Sequence, residues 1–174
     1  MASGDTLLIW TALNNELTDA DYATLDFILT TSADEPDDIV PVLDFDPGAT
    51  QEFATFSGFM PNHYAGTTGI TVTLVWTSEA TSGDVKWDVA LKRIADTTNI
   101  LSLAYGAVNT VTTTTDGTAR DLNTSAITFT DGADMNSVVA GDYFRLTVTR
   151  DSADAADTMN SNDAELIATH LEET

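Results

Sequence analysis

The sequence predicts an all-β protein, an antiparallel β-sandwich of about eight to ten strands with little helix. Three observations carry this: apolar residues recur at every second position, turn signals punctuate the chain at short intervals, and threonine saturates the segments between them. The clearest stretch is Ile70 to Ile94, ITVTLVWTSEATSGDVKWDVALKRI. Ile70, Val72, Leu74 and Trp76 share one face of a first strand; Val85, Trp87, Val89 and Leu91 share one face of a second. A period of two belongs to a pleated strand, whereas a helix needs a repeat near 3.6. The polar, glycine-bearing stretch Ser78 to Asp84 reads as the hairpin turn between them. Both tryptophans lie in register with aliphatic neighbours and are expected in the core.

The other elements follow in order. Thr6 to Trp10 is a candidate opening strand, and Ala23 to Leu29 places Leu25, Phe27 and Leu29 on one side. After the polar loop TTSADEPDD comes Ile39 to Phe45, where Pro41 argues for an edge position or a bulge because proline cannot donate to the ladder. Asp46 to Gly48 is a turn. Gln51 to Met60 spreads Phe53, Phe56 and Phe59 over both faces, the pattern of a strand covered on both sides. Ile100 to Thr114 is a β-branched stretch broken at Gly106, Asp116-Gly117 is a turn, and Ser125 to Thr130 is a strand. Asp131 to Ala140 has room for one helical turn. In Asp142 to Arg150, Phe144, Leu146 and Val148 alternate with polar positions and are expected in the core; Ala164 to Glu172 closes the series. No internal repeat of fixed period is present, which argues against a solenoid or propeller.

At 174 residues the chain is expected to form one domain over 1–174, with 1–22 as a candidate N-terminal docking segment. Hydrophobic residues make up 43%, enough for a core despite a formal net charge of -22. Only six cations, Lys86, Lys92, Arg93, Arg120, Arg145 and Arg150, stand against 28 carboxylates. Such a chain repels phosphate backbones and anionic membranes, so no nucleic acid and no membrane is expected as partner. Saline surroundings or one basic partner would each account for the acidity. Lys86, Lys92 and Arg93 fall on one strand and read either as alternate solvent-facing residues or as a basic strip available for contact. The chain has no cysteine, which removes disulfides and thiolate chemistry together. The start, MASGDTLLIWTALNNELTDADY, has neither the basic leader of a signal peptide nor the length of a transmembrane segment.

Catalytic patterns are sparse. The two histidines, His63 and His170, lie in a loop and in the last strand, and the strained GxSxG turn is absent; Ser57-Gly58 and Ser82-Gly83 fall in a strand and a turn. With 28 carboxylates, some pair reaches glycosidase spacing by chance. Asp151, Asp154 and Asp157 are spaced by threes, and Asp34, Glu35, Asp37 and Asp38 cluster, yet neither follows the calcium-loop pattern. No catalytic residue, metal ligand or cofactor is therefore expected, and the protein reads as a non-enzyme.

Three segments, FSGFMPNHYAG from Phe56, TVTLVWTSEATSGDVKWDVALKRI from Thr71 and GDYFRLTVTRDSADAADTMNSNDAELIATHLEE from Gly141, together resemble small β-sandwich proteins encoded among the structural genes of tailed bacteriophages. The resemblance covers about the last two-thirds of the chain and no functional residue transfers with it. It implies a jelly-roll virion accessory protein: a capsid cement or decoration protein on the outer surface of the head, or a head- or tail-fibre component. It implies as partners a major capsid or other virion protein and the chain's own copies, in a homotrimer. The alternative is a carbohydrate-binding jelly roll serving host attachment, which requires exposed Trp or Tyr on a sandwich face or in its loops. Tyr64 and Tyr105 are the loop candidates.

Overall fold

A computed structural model describes residues 4–16, 18–29, 38–48 and 50–174. Ten strands are present among them: β1 (Thr6–Thr11), β2 (Thr24–Leu29), β3 (Ile39–Phe45), β4 (Glu52–Phe59), β5 (Ile70–Thr77), β6 (Asp84–Ile94), β7 (Val108–Thr114), β8 (Asn123–Phe129), β9 (Tyr143–Arg150) and β10 (Ala164–Glu173). Single 3-10 turns at Ala12–Asn14, Ile100–Ser102 and Ala133–Met135 are the helical content among the described residues. One sheet runs β2-β3-β10-β5-β8, with β1 also paired to β10, and the other runs β4-β9-β6-β7. Every ladder is antiparallel. From β3 to β10 the chain alternates between the sheets, except for the β6-β7 hairpin, and this interleaving is that of a jelly roll.

The connection from β5 to β6 is not a hairpin. β5 pairs with β10 and β8, while β6 pairs with β7 and β9 in the opposite sheet. Alternation identifies which face is apolar without identifying the neighbouring strand, and a polar loop serves a crossover between sheets as well as a tight turn. The crossover brings the two apolar faces against each other. Trp76 and Trp87 meet in the core edge to face, with centroids 5.9 Å apart, and the Trp76 indole donates to Ser125 Oγ at 2.9 Å. Ile70, Val72, Leu74, Trp76, Val85, Trp87, Val89, Leu91, Phe144, Leu146 and Val148 are all buried.

Residues near the N-terminus are bonded to both sheets. β1 pairs with β10, and the chain then runs along the free edge of β4, where Glu16 N donates to Thr55 O at 2.7 Å and Ala23 N to Phe53 O at 3.0 Å. Trp10 is buried, stacked 5.7 Å from Phe56, with its indole donating to Ser57 O at 3.1 Å. Gly58 makes room for it: a Cβ there would lie 3.2 Å from Trp10 Cζ2.

β3 pairs with β10 only through Phe45, Asp44 and Leu43, beyond which β10 turns to β1. Pro41 lies past that point and has only β2 beside it, opposite Phe27, so its missing N–H costs no bond to β10. The edge strand is β2 rather than β3. Leu25, Phe27 and Leu29 oppose Leu43, Pro41 and Ile39 on one face of this ribbon, and Leu25, Phe27, Leu29 and Ile39 are 46–64% exposed.

Candidate functional site

The outer face of the four-stranded sheet is fixed by the register of its strands. Across β4, β9 and β6, outward positions align as Phe53, Thr149 and Asp88; Thr55, Thr147 and Ala90; Ser57, Arg145 and Lys92; and Phe59, Tyr143 and Ile94. The expectation that both faces of the Phe53–Phe59 strand are covered fails at one end: Phe56 enters the core, but Phe59 is 65% exposed and touches Tyr143 at a centroid distance of 5.2 Å. The alternation of β4 is the ordinary inward and outward one, with aromatics on the outer side as well.

Two hollows lie along this face. One, about 220 Å³, is bounded by Phe53, Asp88, Ala90, Tyr105, Val108 and Thr149. The other, about 330 Å³, is bounded by Glu16, Lys92, Ile94, Ile100, Tyr143 and Arg145. Tyr105 lines the first and stands over Lys92, whose Nζ is 4.4 Å from the ring centroid. Its position is set by the neighbouring glycine, since Gly106 N donates to Leu91 O at 2.8 Å and a Cβ on Gly106 would meet Asn136 Cβ at 3.0 Å. Asn136 is itself tied to this sheet by accepting Arg93 N at 3.0 Å.

The polar groups of the face are incompletely matched. Burial raises the Asp88 carboxyl above its usual range, with Asp151 and Asp154 adding to the shift and Lys86 opposing it. Its Oδ1 is buried without a donor among the described residues. Burial, followed by the neighbouring Arg145, pulls the Lys92 ammonium down. Arg145 pairs with Glu16 at 2.6 Å, and Glu16 also accepts from Ser57 Oγ.

The three residues read as a basic strip do not form one. Lys86 and Lys92 both face outward, but Lys86 is held by Asp151 at 2.9 Å and Asp154 at 2.5 Å. Arg93 falls on the opposite parity of β6 and pairs with Asp142 at 2.6 Å. Asp157, the third member of the DxxDxxD spacing, is bidentate to Arg150. Of the earlier acidic cluster, Asp34, Glu35 and Asp37 lie outside the described residues. His170 Nε2 is 3.0 Å from Thr6 Oγ1, and His63 stays in its loop. Tyr64 is buried, its hydroxyl donating to Asp131 Oδ1 at 3.2 Å, so Tyr105 is the loop tyrosine that reaches a sandwich face.

A third hollow, about 320 Å³, gathers Asp26, Asp44, Glu79, Asp163 and Glu165 around Arg120. Asp44 and Glu165 sit directly opposite each other across β3 and β10, and Arg120 bonds Glu165 and, at 2.8 Å, Glu79. Asp44 is pushed from 3.8 to about 7, chiefly by burial and then by the charges of Glu165, Asp26 and Asp163. Glu165 and Asp163 are raised by burial too. A carboxyl whose folded pKa lies above its unfolded value is penalised in the native state at high pH. That penalty is relieved as pH falls through the folded value and is gone below the unfolded one. The melting temperature is therefore expected to rise by a few degrees from pH 8 to pH 5, and Asp44→Asn to raise it at pH 8 and flatten the profile. A wild-type melting temperature that falls monotonically over that range would contradict this.

No protein-family model matches the chain, and no curated protein matches it. Among solved structures it is similar to the CBM22-1 xylan-binding domain of Paenibacillus barcinonensis Xyn10C, at 10% identity and a TM-score of 0.48, over 99% of this chain and 96% of that one. The mannan-recognising module TmCBM27 shares 8% identity at a TM-score of 0.47 over 99% and 100% of the two chains. A family 11 carbohydrate-binding module from Clostridium thermocellum, in complex with a β-1,3-1,4-mixed-linked tetrasaccharide, shares 11% identity at a TM-score of 0.46 over 98% and 96%. No helix among the described residues is long and apolar enough to cross a membrane.

Proposed function

We propose that this protein is a glycan-binding module whose ligand lies on the outer face of the four-stranded sheet. The observation that carries the reading is the hollow that joins Tyr105 and Phe53 to Asp88, whose carboxylate keeps one buried oxygen without a donor among the described residues. A sugar ring presents an apolar C–H face and a rim of hydroxyl donors, and this hollow offers a partner for each. Thr147 and Thr149 on the same floor offer further hydroxyls. Binding without turnover suits the site, because among the described residues this hollow is lined by one carboxylate, Asp88, rather than by an opposed acid and base.

The test is titration of purified protein against a panel of soluble glycans, followed by Tyr105→Ala. Removing the ring is expected to weaken binding about tenfold, equivalent to about 1.4 kcal/mol, with the melting temperature unchanged. Unaltered affinity in that variant would remove this face from consideration.

A second reading, an accessory protein held on a tailed-phage particle by protein contacts and self-associated as a trimer, is supported by the apolar ribbon of Leu25, Phe27, Leu29 and Ile39. A contiguous apolar strip on so acidic a chain is suited to burial against another protein. Imaging purified particles is expected to place this chain's density on their exterior; particles that lack it would end the reading.

A further inference from the structure

Five of the six cations have a carboxylate partner: Lys86, Arg93, Arg120, Arg145 and Arg150. Lys92 has none among the described residues, in a chain where carboxylates outnumber cations by 28 to six. Its ammonium instead lies over the Tyr105 ring, and Lys92 lines a hollow together with Arg145, its cross-strand neighbour on the outer face. Arg145 also keeps its Nε buried without a hydrogen-bond partner among the described residues, while Nη2 donates to Glu16. Two adjacent cations thus line a hollow whose one carboxylate among the described residues, Glu16, pairs with Arg145, between apolar walls formed by Ile94, Ile100 and Tyr143. Placing like charges side by side with an incomplete set of counterions is unfavourable until an anion arrives.

We infer that the ligand of this face is an acidic glycan whose carboxylate sits against Lys92 and Arg145 while its ring stacks on Tyr105. The inference rests on the glycan-binding reading and names its substrate class. Asp88 and Lys92 lie on the same side of β6, four residues and so about 13 Å apart along the strand, with Tyr105 lining the hollow of Asp88 and its ring against Lys92, which lines the other. A uronic-acid oligosaccharide lying along β6 would give hydroxyls to Asp88 at one end and its acid group to the cation pair at the other. The net charge of -22 opposes such a ligand at long range. Salt screens exposed charges beyond about 8 Å at physiological ionic strength, so the groups in direct contact decide the outcome.

The experiment uses the full chain with polygalacturonate, alginate and hyaluronate, each alongside its carboxyl-reduced form, which retains the sugar backbone and loses the charge. At least one acidic polymer is expected to bind ten times more tightly than its reduced counterpart. Lys92→Gln is expected to abolish that preference and Lys92→Arg to retain it, with melting temperatures unchanged in both. Equal binding of acidic and reduced forms, or a preference that survives Lys92→Gln, overturns the acidic ligand while leaving a glycan-binding face. Binding of neither form overturns the glycan reading together with the inference.

Discussion

Arg150→Ala is expected to destabilise the fold by about 3–5 kcal/mol, measured as a loss of urea stability against wild type. The side chain is 1% exposed at the end of β9, and its guanidinium is fully engaged. Nε and Nη2 meet the two oxygens of Asp157 at 2.9 Å each, Nη1 donates to Phe45 O at 3.1 Å and Asn162 O at 3.0 Å, and Nη2 also donates to Met159 O. One residue therefore ties β9, the end of β3 and the loop before β10. Truncation leaves the buried Asp157 carboxylate without its counter-charge, although Lys86 N still donates to it at 3.1 Å. An uncompensated buried charge is what makes breaking such a pair costly, more than the attraction itself. Replacing both partners, Arg150→Met with Asp157→Leu, is accordingly expected to cost less than Arg150→Ala alone. A single-variant loss below about 1 kcal/mol would show that the network contributes little.

Arg150 also marks the limit of what the sequence discloses. Strand by strand, alternation places Ile70 through Trp76, Val85 through Leu91 and Phe144 through Val148 in the core, because a period of two on a half-buried strand is a local property of the chain. Arg150 continues the same parity inward, and charge alone gives no warning that a strand end can bury it. Its partner Asp157 sits in an acidic loop that reads as solvated carboxylates, its spacing by threes failing the calcium-loop pattern. The pairing depends on tertiary closure across the sandwich, as does the placement of β5 and β6 in different sheets.

The site is legible in the same uneven way. Lys92 is singled out by its scarcity, and Tyr105 by being an aromatic residue in a loop. Grouping Lys92 with Lys86 and Arg93 follows sequence proximity, whereas parity separates Arg93, and the acids at Asp151 and Asp154 occupy Lys86. Arg145 and Glu16, which complete the surroundings of Lys92, come from positions 129 residues apart, and no local pattern links them. Phe53 and Asp88 likewise meet through the intervening β9, where both pair with Thr149.

Trp87→Ala is expected to cost about 3–5 kcal/mol, as deletion of a large buried aromatic does when its surroundings cannot collapse. Trp87 is fully buried on β6 and reaches across to the six-stranded sheet, where its ring meets Phe45 edge-on at 5.1 Å and Trp76 at 5.9 Å. These contacts join β6 to β3 and β5, so the void would open between the sheets rather than within one. Its indole N–H finds no acceptor among the described residues, which places the stabilisation in packing rather than in a hydrogen bond. Trp87→Phe is thus expected to lose well under half as much, while Trp76→Phe also leaves Ser125 Oγ without its indole donor. Trp87 and Arg150 are paired across β6 and β9, and neighbours of this kind couple. The double variant Trp87→Phe with Arg150→Ala is therefore expected to depart from the sum of the single losses. The outward neighbour Asp88 provides the functional control, since β6 carries the core on one side and the candidate site on the other. If Trp87→Phe keeps glycan affinity while Tyr105→Ala loses it at unchanged stability, core and site are separable on a single strand. A Trp87→Ala loss below about 1 kcal/mol, read from chemical unfolding, would contradict the central packing role assigned to this residue.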